Sequence, residues 1–380
     1  MGIAQSVDDA YFQQKVKLGQ GGFGTVWRAV DRKTDQFVAV KQIDKLQSYW
    51  QGAKRAEIQL EIDILRACNH ENITKLYNYY EESRTISIVL EYCDGGDLDD
   101  KLKEQGWQLR EADASAWTRQ ICAAIAHLHS KEICHRDIKP GNFMIASGLL
   151  KLSDFGFATF LAKGEKTTED VGTPAYMAPE QHLLKKGSKG YGHSVDVWAA
   201  GCTLHMLVSG GRHPFIKLKN AKQVLDMDKL YAGTLDFGAS MLGGLVGGAF
   251  QPATVEARSL CQRMVCPDAE KRLSAEEVLK DKWLNRASQE ANLNVPNLSE
   301  QGYANHFRKL QQQLAVAEKQ LKDAEERELS LKSRLQSQDN SVMVVTIPLT
   351  LPECMNRCYS CTSCSKAGPE HRINIDRVLK

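Results

Sequence analysis

The amino-acid sequence predicts an α+β protein with two lobes, a small β-rich lobe followed by a larger helical lobe, and a C-terminal coiled coil. β-Branched and aromatic runs between residues 15 and 91 indicate strands, because turn residues separate them. Helical patterns dominate residues 97–284, and an apolar heptad pattern spans residues 307–335. The chain has 380 residues, of which 42% are hydrophobic, enough for a large core or for two domains with extensions.

The first lobe is predicted to hold four strands and one helix. Glycines and a polar run at residues 31–35 separate the first three strands. Ile58, Ile62 and Leu65 recur at helical spacing, which predicts one apolar face for the helix. The predicted strands cover residues 16–18, 24–30, 37–43 and 86–90, and the predicted helix covers residues 53–68.

Three segments follow the globular part of the chain. A polar linker at residues 287–304 precedes a predicted coiled coil at residues 305–338, and a cysteine-containing tail covers residues 339–380. We expect the coiled coil to form a homodimer; the alternative is a single amphipathic helix that docks on the chain's own globular part. Its apolar seam consists of Phe307, Leu310, Leu314, Ala317, Leu321, Ala324, Leu331 and Leu335.

Gly19, Gly21 and Gly24 form the pattern G-x-G-x-x-G, and Val26 follows two residues later. A dinucleotide-binding fold would need a helix directly after these glycines and an acidic residue about 20 positions further on. Here the glycines lie between two predicted strands. This context indicates a hairpin whose backbone covers phosphate groups.

Lys41 ends the apolar strand that follows this hairpin, where a lysine would normally avoid burial. A buried lysine needs a counter-charge, and Glu61 supplies one from the predicted helix. Such a pair can hold the α- and β-phosphates of a nucleotide. Lys41 and Glu61 are therefore candidate catalytic residues.

Several short motifs follow in a fixed order and spacing. The motifs are His135-Arg136-Asp137 with Lys139 and Asn142, then Asp154-Phe155-Gly156, then Ala178-Pro179-Glu180. Each alone could arise by chance, but together they resemble a eukaryotic protein kinase domain over residues 15–286, nearest to the calcium/calmodulin-dependent branch. The sequence has no EF-hand calcium loop, so direct control by calcium is not expected.

The resemblance implies a serine/threonine protein kinase that transfers the γ-phosphate of ATP to protein hydroxyl groups. Asp137 is expected to accept the proton of the substrate hydroxyl, and Lys139 to neutralise charge on the transferred phosphoryl group. Asn142 and Asp154 are expected to hold magnesium ions. Thr173, in the activation loop, is expected to hydrogen-bond the Asp137–Lys139 pair, as in the serine/threonine class.

The same resemblance implies an ATP site between the two lobes. Adenine is expected between Val26 and Ala39 on one side and Met144 on the other, with hydrogen bonds to the backbone at Glu91 and Cys93. The full set of expected ATP-binding residues is Leu18, Gly19, Gln20, Gly21, Gly22, Phe23, Gly24, Val26, Ala39, Lys41, Leu90, Glu91, Cys93, Asp97 and Met144.

The activation loop, residues 154–180, is expected to control activity. In kinases of this type the arginine before the catalytic aspartate, here Arg136, usually binds a phosphate on this loop. Glu169 occupies the position where many relatives carry a phosphothreonine, and its carboxylate can replace the phosphate in part. In the alternative, Thr167 or Thr168 is phosphorylated and acts as the switch.

Two other function classes fit part of the sequence, namely a pseudokinase that only binds ATP or partners, and a scaffold built on the coiled coil. Lys41, Asp137 and Asp154 are all present, which argues against a pseudokinase. Protein substrates are the expected partners. Gly141 stands where many kinases carry a glutamate that recognises basic residues, so a preference for basic substrates is not expected.

A net charge of +2 gives no electrostatic reason to expect a nucleic-acid or membrane partner. No signal peptide and no apolar span of about 20 residues occurs, so a cytoplasmic location is expected. Residues 1–14 form an N-terminal extension in which Gly2 is a candidate for myristoylation, and only lipidation would bring the chain to a membrane. Zinc binding, acylation and no modification all remain open for Cys354, Cys358, Cys361 and Cys364.

Overall fold

The computed structural model describes residues 6–21, 24–46, 55–107, 109–184, 189–219, 221–237 and 253–285. The chain divides into two units, Met1–Pro296 and Asn297–Lys380, and all the described residues belong to the first. Several predictions therefore lie outside the described residues and stay predictions. They concern the coiled coil, the tail cysteines, Gly2, and Gly22 and Phe23 of the glycine hairpin.

Five antiparallel strands form the sheet of the first lobe, in the order β1-β2-β3-β5-β4. The connections from β2 to β3 and from β4 to β5 are short, and helix α2 lies between β3 and β4 in the chain. The elements are α1 Val7–Ala10, β1 Tyr11–Gly21, β2 Gly24–Asp31, β3 Phe37–Asp44, α2 Arg55–Ala67, β4 Leu76–Glu81 and β5 Thr85–Glu91.

Strand β1 is longer than the sequence predicts, because it begins at Tyr11, within the stretch assigned to an N-terminal extension. Two register shifts interrupt its pairing with β2. Such bulges break the regular alternation by which a strand is predicted, since each one moves later side chains to the other face. Helix α1 precedes the strand, and Val7 packs against the sheet together with Tyr11.

Helix α2 buries Ile58, Ile62 and Leu65, the three residues that predict its apolar face. Glu61 lies among the buried residues of the same helix. A carboxylate in such a position needs a partner, because an unpaired charge is costly to bury. Helix α2 is thus fixed both by apolar packing and by the ion pair described below.

Helices form most of the second lobe, as predicted, but three two-stranded sheets interrupt them: β6 with β9, β7 with β8, and β10 with β11. Strands of two to four residues are too short to show an alternating pattern in the sequence. The helices are α3 Leu98–Glu104, α4 Glu111–Ser130, α5 Pro179–His182, α6 Ser194–Val208, α7 Met227–Ala232, α8 Val255–Met264 and α9 Ala275–Leu279. The strands are β6 Ile133–Cys134, β7 Phe143–Ala146, β8 Leu149–Leu152, β9 Thr159–Phe160, β10 Ile216–Lys219 and β11 Lys222–Leu225.

Helix α6 is buried on all sides over residues 195–208, which places it in the core of the second lobe. Arg272 holds this region together. Its guanidinium donates to both carboxylate oxygens of Glu180, at 2.7 and 3.0 Å, and covers the ring of Trp198 at 5.1 Å. The Arg272 side chain is fully enclosed, so this bidentate pair contributes to stability and has no access to a substrate.

The seven cysteines of the described residues are free thiols, and five of them are buried. A free cysteine that is buried in a core behaves as a small hydrophobic residue. Within the described ranges, no helix is both long enough and apolar enough to cross a membrane.

Candidate active site

Lys41 Nζ lies 2.6 Å from Glu61 Oε1, and both side chains are buried. Strand β3 provides the lysine and helix α2 provides the glutamate, so the ion pair joins the helix to the sheet. Burial alone lowers the pKa of Lys41, but the negative charges of Glu61 and Asp154 outweigh this effect and raise the pKa above its ordinary value. Lys41 therefore stays a cation that can attract phosphate oxygens.

Two glycines of the hairpin between β1 and β2 have different roles. A Cβ atom at Gly24 would overlap the carbonyl oxygen of Gln42, so only glycine allows β2 to pack there. At Gly19 the space that a Cβ atom would enter is open. The backbone at Gly19 thus leaves room for a ligand, as a phosphate-covering hairpin requires.

The residues predicted to surround adenine come from both lobes. Ala39 on β3 and Leu90 on β5 are directly paired in the sheet. Asp97 and Met144 form an isolated antiparallel bridge, and two further backbone hydrogen bonds tie residues 95–96 to β7. The segment that connects the lobes is therefore held along β7, with Met144 beside it.

Asp97 and Cys93 also have contacts of their own. Asp97 Oδ1 accepts a hydrogen bond from the amide of Asp100 at 2.9 Å and so caps helix α3. A carboxylate has acceptor capacity beyond one such bond, so a ribose hydroxyl could still be held.

Burial, with a smaller contribution from the charge of Glu91, raises the pKa of the Cys93 thiol to about 12. Cys93 is therefore a packing residue and not a reactive thiolate.

Asp196 of α6 holds the catalytic loop, which follows β6. Its Oδ2 accepts from the amide of His135 at 2.9 Å, and its Oδ1 accepts from the amide of Arg136 at 2.8 Å. His129 Nε2 lies 3.0 Å from Oδ2. Burial alone raises the pKa of Asp196, but the hydrogen bond and charge of His129, together with His135, outweigh it and hold the pKa at about 2. The carboxylate thereby fixes Arg136, whose left-handed backbone (φ +68°) is unusual for a non-glycine residue.

Four hydrogen bonds converge on the buried carboxylate of Asp137. Its Oδ2 accepts from Lys139 Nζ at 2.8 Å and from Asn142 Nδ2 at 2.9 Å. Its Oδ1 accepts from Thr173 Oγ1 at 2.6 Å and from the Thr173 amide at 2.9 Å. Lys139 Nζ also donates to Thr173 Oγ1 at 2.8 Å, so the contact predicted between Thr173 and the Asp137–Lys139 pair is present. The network holds one carboxylate beside one cation in a fixed orientation.

Asp154 begins the activation loop in a left-handed backbone conformation, with φ +57°. Its side chain is exposed, and its negative charge acts on both Lys41 and His135. Phe155, the next residue, is buried, and its ring lies 5.0 Å from that of His135. The buried ring anchors the backbone directly beside Asp154.

The donor set at this position fits magnesium. Across the residues that the structure describes, no group of three or more histidine, cysteine or acidic side chains could hold a metal ion. Magnesium is usually bound through one or two protein carboxylates together with phosphate oxygens, and it keeps several waters. One carboxylate from Asp154 and one amide oxygen from Asn142 suit such a site, whereas a structural zinc site needs four protein ligands.

Arg136 Nη1 lies 2.6 Å from Glu169 Oε2 and connects the catalytic loop to the activation loop. The arginine side chain is 5% exposed and the glutamate side chain is 66% exposed, so a buried cation meets a solvated carboxylate. Arg136 Nε also donates to the carbonyl oxygen of Phe157 at 2.6 Å. Tyr191 OH donates to the Glu169 carbonyl at 2.7 Å, and the backbones of Tyr191 and Thr167 exchange two hydrogen bonds of 2.9 Å. These contacts hold Glu169 opposite Arg136.

Three residues of this site were not found from the sequence: His129, Tyr191 and Lys151. Lys151 Nζ lies 2.8 Å from Glu91 Oε1, which ties β8 to the end of β5. All three contact groups that are distant along the chain, so neither spacing nor composition indicates them. For Lys151 alone the sequence contains an indirect signal. The carboxylate of Glu91 at the end of a predicted strand favours a cation nearby, although it does not indicate which one.

Comparison with known proteins identifies the family. The profile of the protein kinase domain matches residues 12–284. Serine/threonine-protein kinase DCLK3 of Homo sapiens is 34% identical over 296 residues, which are 76% of this chain and 42% of that protein. Calcium-dependent protein kinase 10 of Arabidopsis thaliana is 32% identical over 292 residues, or 76% of this chain and 50% of that protein. Calcium-dependent protein kinase 5 of Plasmodium falciparum is 31% identical over 284 residues, or 74% and 46%.

The chain spans half or less of the length of each of these relatives, so the similarity concerns one domain of them. In this chain the matching residues 12–284 form both lobes and include the Lys41–Glu61 ion pair, the Asp137 network and Asp154. The chain therefore belongs to the protein kinase family.

Proposed function

We propose that the protein is a serine/threonine protein kinase that transfers the γ-phosphate of ATP to hydroxyl groups of protein substrates. The hydrogen-bond network around Asp137 carries this proposal. Asp137 orients the substrate hydroxyl and accepts its proton, while Lys139 neutralises charge on the transferred phosphoryl group. Thr173 closes the network from the activation loop, which supports serine and threonine as acceptors.

The remaining residues of the site bind and orient ATP. Lys41, held by Glu61, attracts the α- and β-phosphates, and the glycine hairpin covers them. Asn142 and Asp154 hold magnesium, which when bound neutralises charge on the β- and γ-phosphates. Because phosphoryl transfer depends mainly on positioning and charge, these side chains and the Asp137 network account for the whole reaction.

Transfer of labelled γ-phosphate from ATP to casein, to histone and to an unbiased serine/threonine peptide library tests the proposal. The companion variant is Asp154→Asn, which removes a metal ligand. Magnesium-dependent ATP binding, measured by calorimetry, should weaken in this variant, whereas ATP binding without magnesium should change little. If the wild-type protein labels neither the two proteins nor any library peptide, the proposed activity is wrong.

We further propose that Glu169 sustains part of the activity without phosphorylation. The 2.6 Å contact between Arg136 and Glu169 supports this proposal. A carboxylate carries one charge and two oxygens, whereas a phosphate carries nearly two charges and three oxygens. Because Glu169 is largely exposed, solvent weakens the pair, and such pairs contribute about 0.2–1 kcal/mol. The loop is thus ordered in part, and phosphorylation at Thr167 or Thr168 could add to the effect.

Glu169→Ala should lower the activity of protein expressed in bacteria and treated with phosphatase by about two- to fivefold, because it removes one exposed ion pair. Initial rates on one fixed peptide measure the effect. The control Thr167→Ala/Thr168→Ala should keep the wild-type rate. An inert dephosphorylated wild type, together with a double threonine variant that no upstream kinase can activate, would show instead that phosphorylation is the switch.

For residues 305–338, which lie outside the described residues, we propose a homodimeric coiled coil. For the protein as a whole we propose a cytoplasmic location. The heptad pattern and the composition support these two proposals. Myristoylation of Gly2 and the chemistry of the tail cysteines stay predictions from the sequence alone.

Leu314→Lys/Leu321→Lys should convert the full-length dimer into monomers. The two lysines replace buried apolar side chains in the seam, and their charges repel those of the partner helix. Sedimentation velocity at micromolar concentration measures the mass. Gln312→Lys/Ala315→Lys adds the same charge on the outer side of the heptad pattern and should leave the dimer intact. A wild-type protein that is already monomeric would contradict the proposal.

A further inference from the structure

The hairpin β10–β11 begins beside the segment that follows Thr173. Phe215, the residue before β10, is fully buried, and its ring stacks on that of Trp198 at 5.2 Å. The ring of His213 lies 5.1 Å from that of Tyr176, three residues after Thr173. The base of the hairpin is therefore fixed in the core, close to the part of the activation loop that contacts Asp137.

The two faces of this hairpin differ in chemistry. In an antiparallel pair, residues directly opposite each other share a face, and here Lys217 faces Val224 and Lys219 faces Lys222. Three lysines thus lie on one face. The other face carries Leu218, whose residue surface is 75% exposed. The hairpin thus offers a cationic contact on one face and an apolar contact on the other.

Most of this positive charge is not neutralised within the hairpin. Lys217 Nζ lies 3.1 Å from Asp226 Oδ1, so one lysine is paired. Lys219 and Lys222 are exposed, and neither forms an ion pair with another residue that the structure describes. Exposed cations without a local partner attract a negatively charged one.

Two features of the hairpin are unfavourable for folding. Like charges directly opposite each other, as at Lys219 and Lys222, destabilise a strand pair. The turn residue Ala221 has φ +60°, a left-handed conformation that non-glycine residues seldom adopt. Proteins break local rules of this kind mainly at functional sites and compensate for the cost elsewhere in the fold.

We propose that the hairpin β10–β11 binds an acidic segment of the protein substrate, with the carboxylates on Lys219 and Lys222 and an apolar residue on Leu218. This inference rests on the proposed kinase function. A two-stranded sheet leaves the outer edges of β10 and β11 unpaired among the described strands, so an extended peptide can add hydrogen bonds along an edge. The side chain absent at Gly141 leaves open space, and no carboxylate there selects basic residues.

The hairpin is within reach of a peptide whose hydroxyl lies at Asp137. The ring centroids of Tyr176 and His213 are 5.1 Å apart. The six residues from His213 to Lys219 add about 20 Å at most. An extended peptide advances about 3.3 Å per residue, so acidic residues within about ten positions of the acceptor can contact the lysines.

The experiment uses the full chain and a serine peptide array in which a Glu-Glu or Lys-Lys pair occupies each position within ten of the acceptor. At low salt the wild type should prefer glutamate at some position by about fivefold in kcat/KM, as two exposed ion pairs would give. Lys219→Glu/Lys222→Glu should abolish this preference, with an unchanged kcat on an uncharged peptide. The control Lys33→Glu/Lys280→Glu makes the same charge change at two exposed sites elsewhere and should keep the preference.

The single variant Lys222→Glu excludes unfolding as an explanation, because it gives Lys219 a cross-strand partner of opposite charge and should not destabilise the hairpin. It should weaken the preference for glutamate while the melting temperature stays unchanged or rises. If the double variant keeps the wild-type preference, or if the control loses it equally, the proposal is wrong.

A binding measurement separates this proposal from the kinase activity itself. Fluorescence anisotropy of a fluorescein-labelled dodecapeptide of alternating glutamate and leucine should show binding to the wild type and at least about fivefold weaker binding to Lys219→Glu/Lys222→Glu. This result would support the docking site even if no peptide were phosphorylated. If the double variant instead loses only co-sedimentation with phosphatidylserine vesicles and binds the peptide normally, the hairpin contacts a membrane and the proposal is overturned.

Discussion

Asp137→Asn should yield a folded, ATP-binding protein whose kcat is lower by about a hundred- to ten-thousandfold, the usual contribution of a general base. An amide cannot accept the proton of the substrate hydroxyl. Its nitrogen also cannot accept the hydrogen bonds that Lys139 and Asn142, or Thr173, donate to the carboxylate. Initial rates at saturating ATP and magnesium measure the loss, and calorimetry measures ATP affinity, which should change little because Asp137 contacts neither Lys41 nor Glu61.

The matched control for this variant is Asp100→Asn, which makes the same chemical change at an exposed carboxylate on helix α3. It should retain wild-type rates. The melting temperature of Asp137→Asn should fall by about 4 °C, since two buried hydrogen bonds are lost and each contributes about 1 kcal/mol. A variant that keeps more than about a tenth of the wild-type kcat would contradict the role of Asp137 as base.

Lys41→Met should reduce both activity and stability. It removes the cation that positions the phosphates, and loss of a preorganised charge of this kind costs about a hundredfold or more in kcat. It also leaves Glu61 buried without a partner, which costs about 3–5 kcal/mol. The melting temperature at pH 7.5 should therefore fall by roughly 6–10 °C. Thermal denaturation and initial rates check the two effects separately.

The double variant Lys41→Met/Glu61→Gln separates stability from catalysis. Neutralising Glu61 removes the unpaired charge, so most of the lost melting temperature should return, whereas the activity should stay low because no cation has been restored. A single variant Lys41→Met that melts within about a degree of the wild type would show that the pair is not buried in solution. If the double variant were as unstable as Lys41→Met, the loss of stability would come from poorer packing of the methionine and not from the unpaired charge of Glu61.

The parts of the site that the sequence predicted are those in which a short motif itself sets the geometry. Asp137, Lys139 and Asn142 lie within six residues of one another, so one loop conformation brings all three together. Glu61 was predicted as the partner of Lys41, and it is buried on the same helix as Ile58 and Ile62. In the first case the close spacing of the three residues contains the spatial information, and in the second the helical period shows which residues share the buried side of the helix with Glu61.

The contacts that the sequence did not predict depend on long-range packing. His129 reaches Asp196 only because helices α4 and α6 lie side by side, and Tyr191 reaches Glu169 only once the activation loop folds back. The hairpin β10–β11 was missed for another reason. Its strands have four residues each, and lysines at alternate positions look like an ordinary solvated loop.

The tether between α6 and the catalytic loop has a consequence for acid tolerance. The pKa of Asp196 is about 2 in the folded protein, below its ordinary value of 3.8. The ionised carboxylate therefore stabilises the fold fully at pH values above 3.8, and this contribution is lost only as the pH falls towards 2. The amides of His135 and Arg136 therefore remain bound to an ionised carboxylate throughout the acidity range of cellular compartments. Mild acidification should therefore not release the catalytic loop from Asp196.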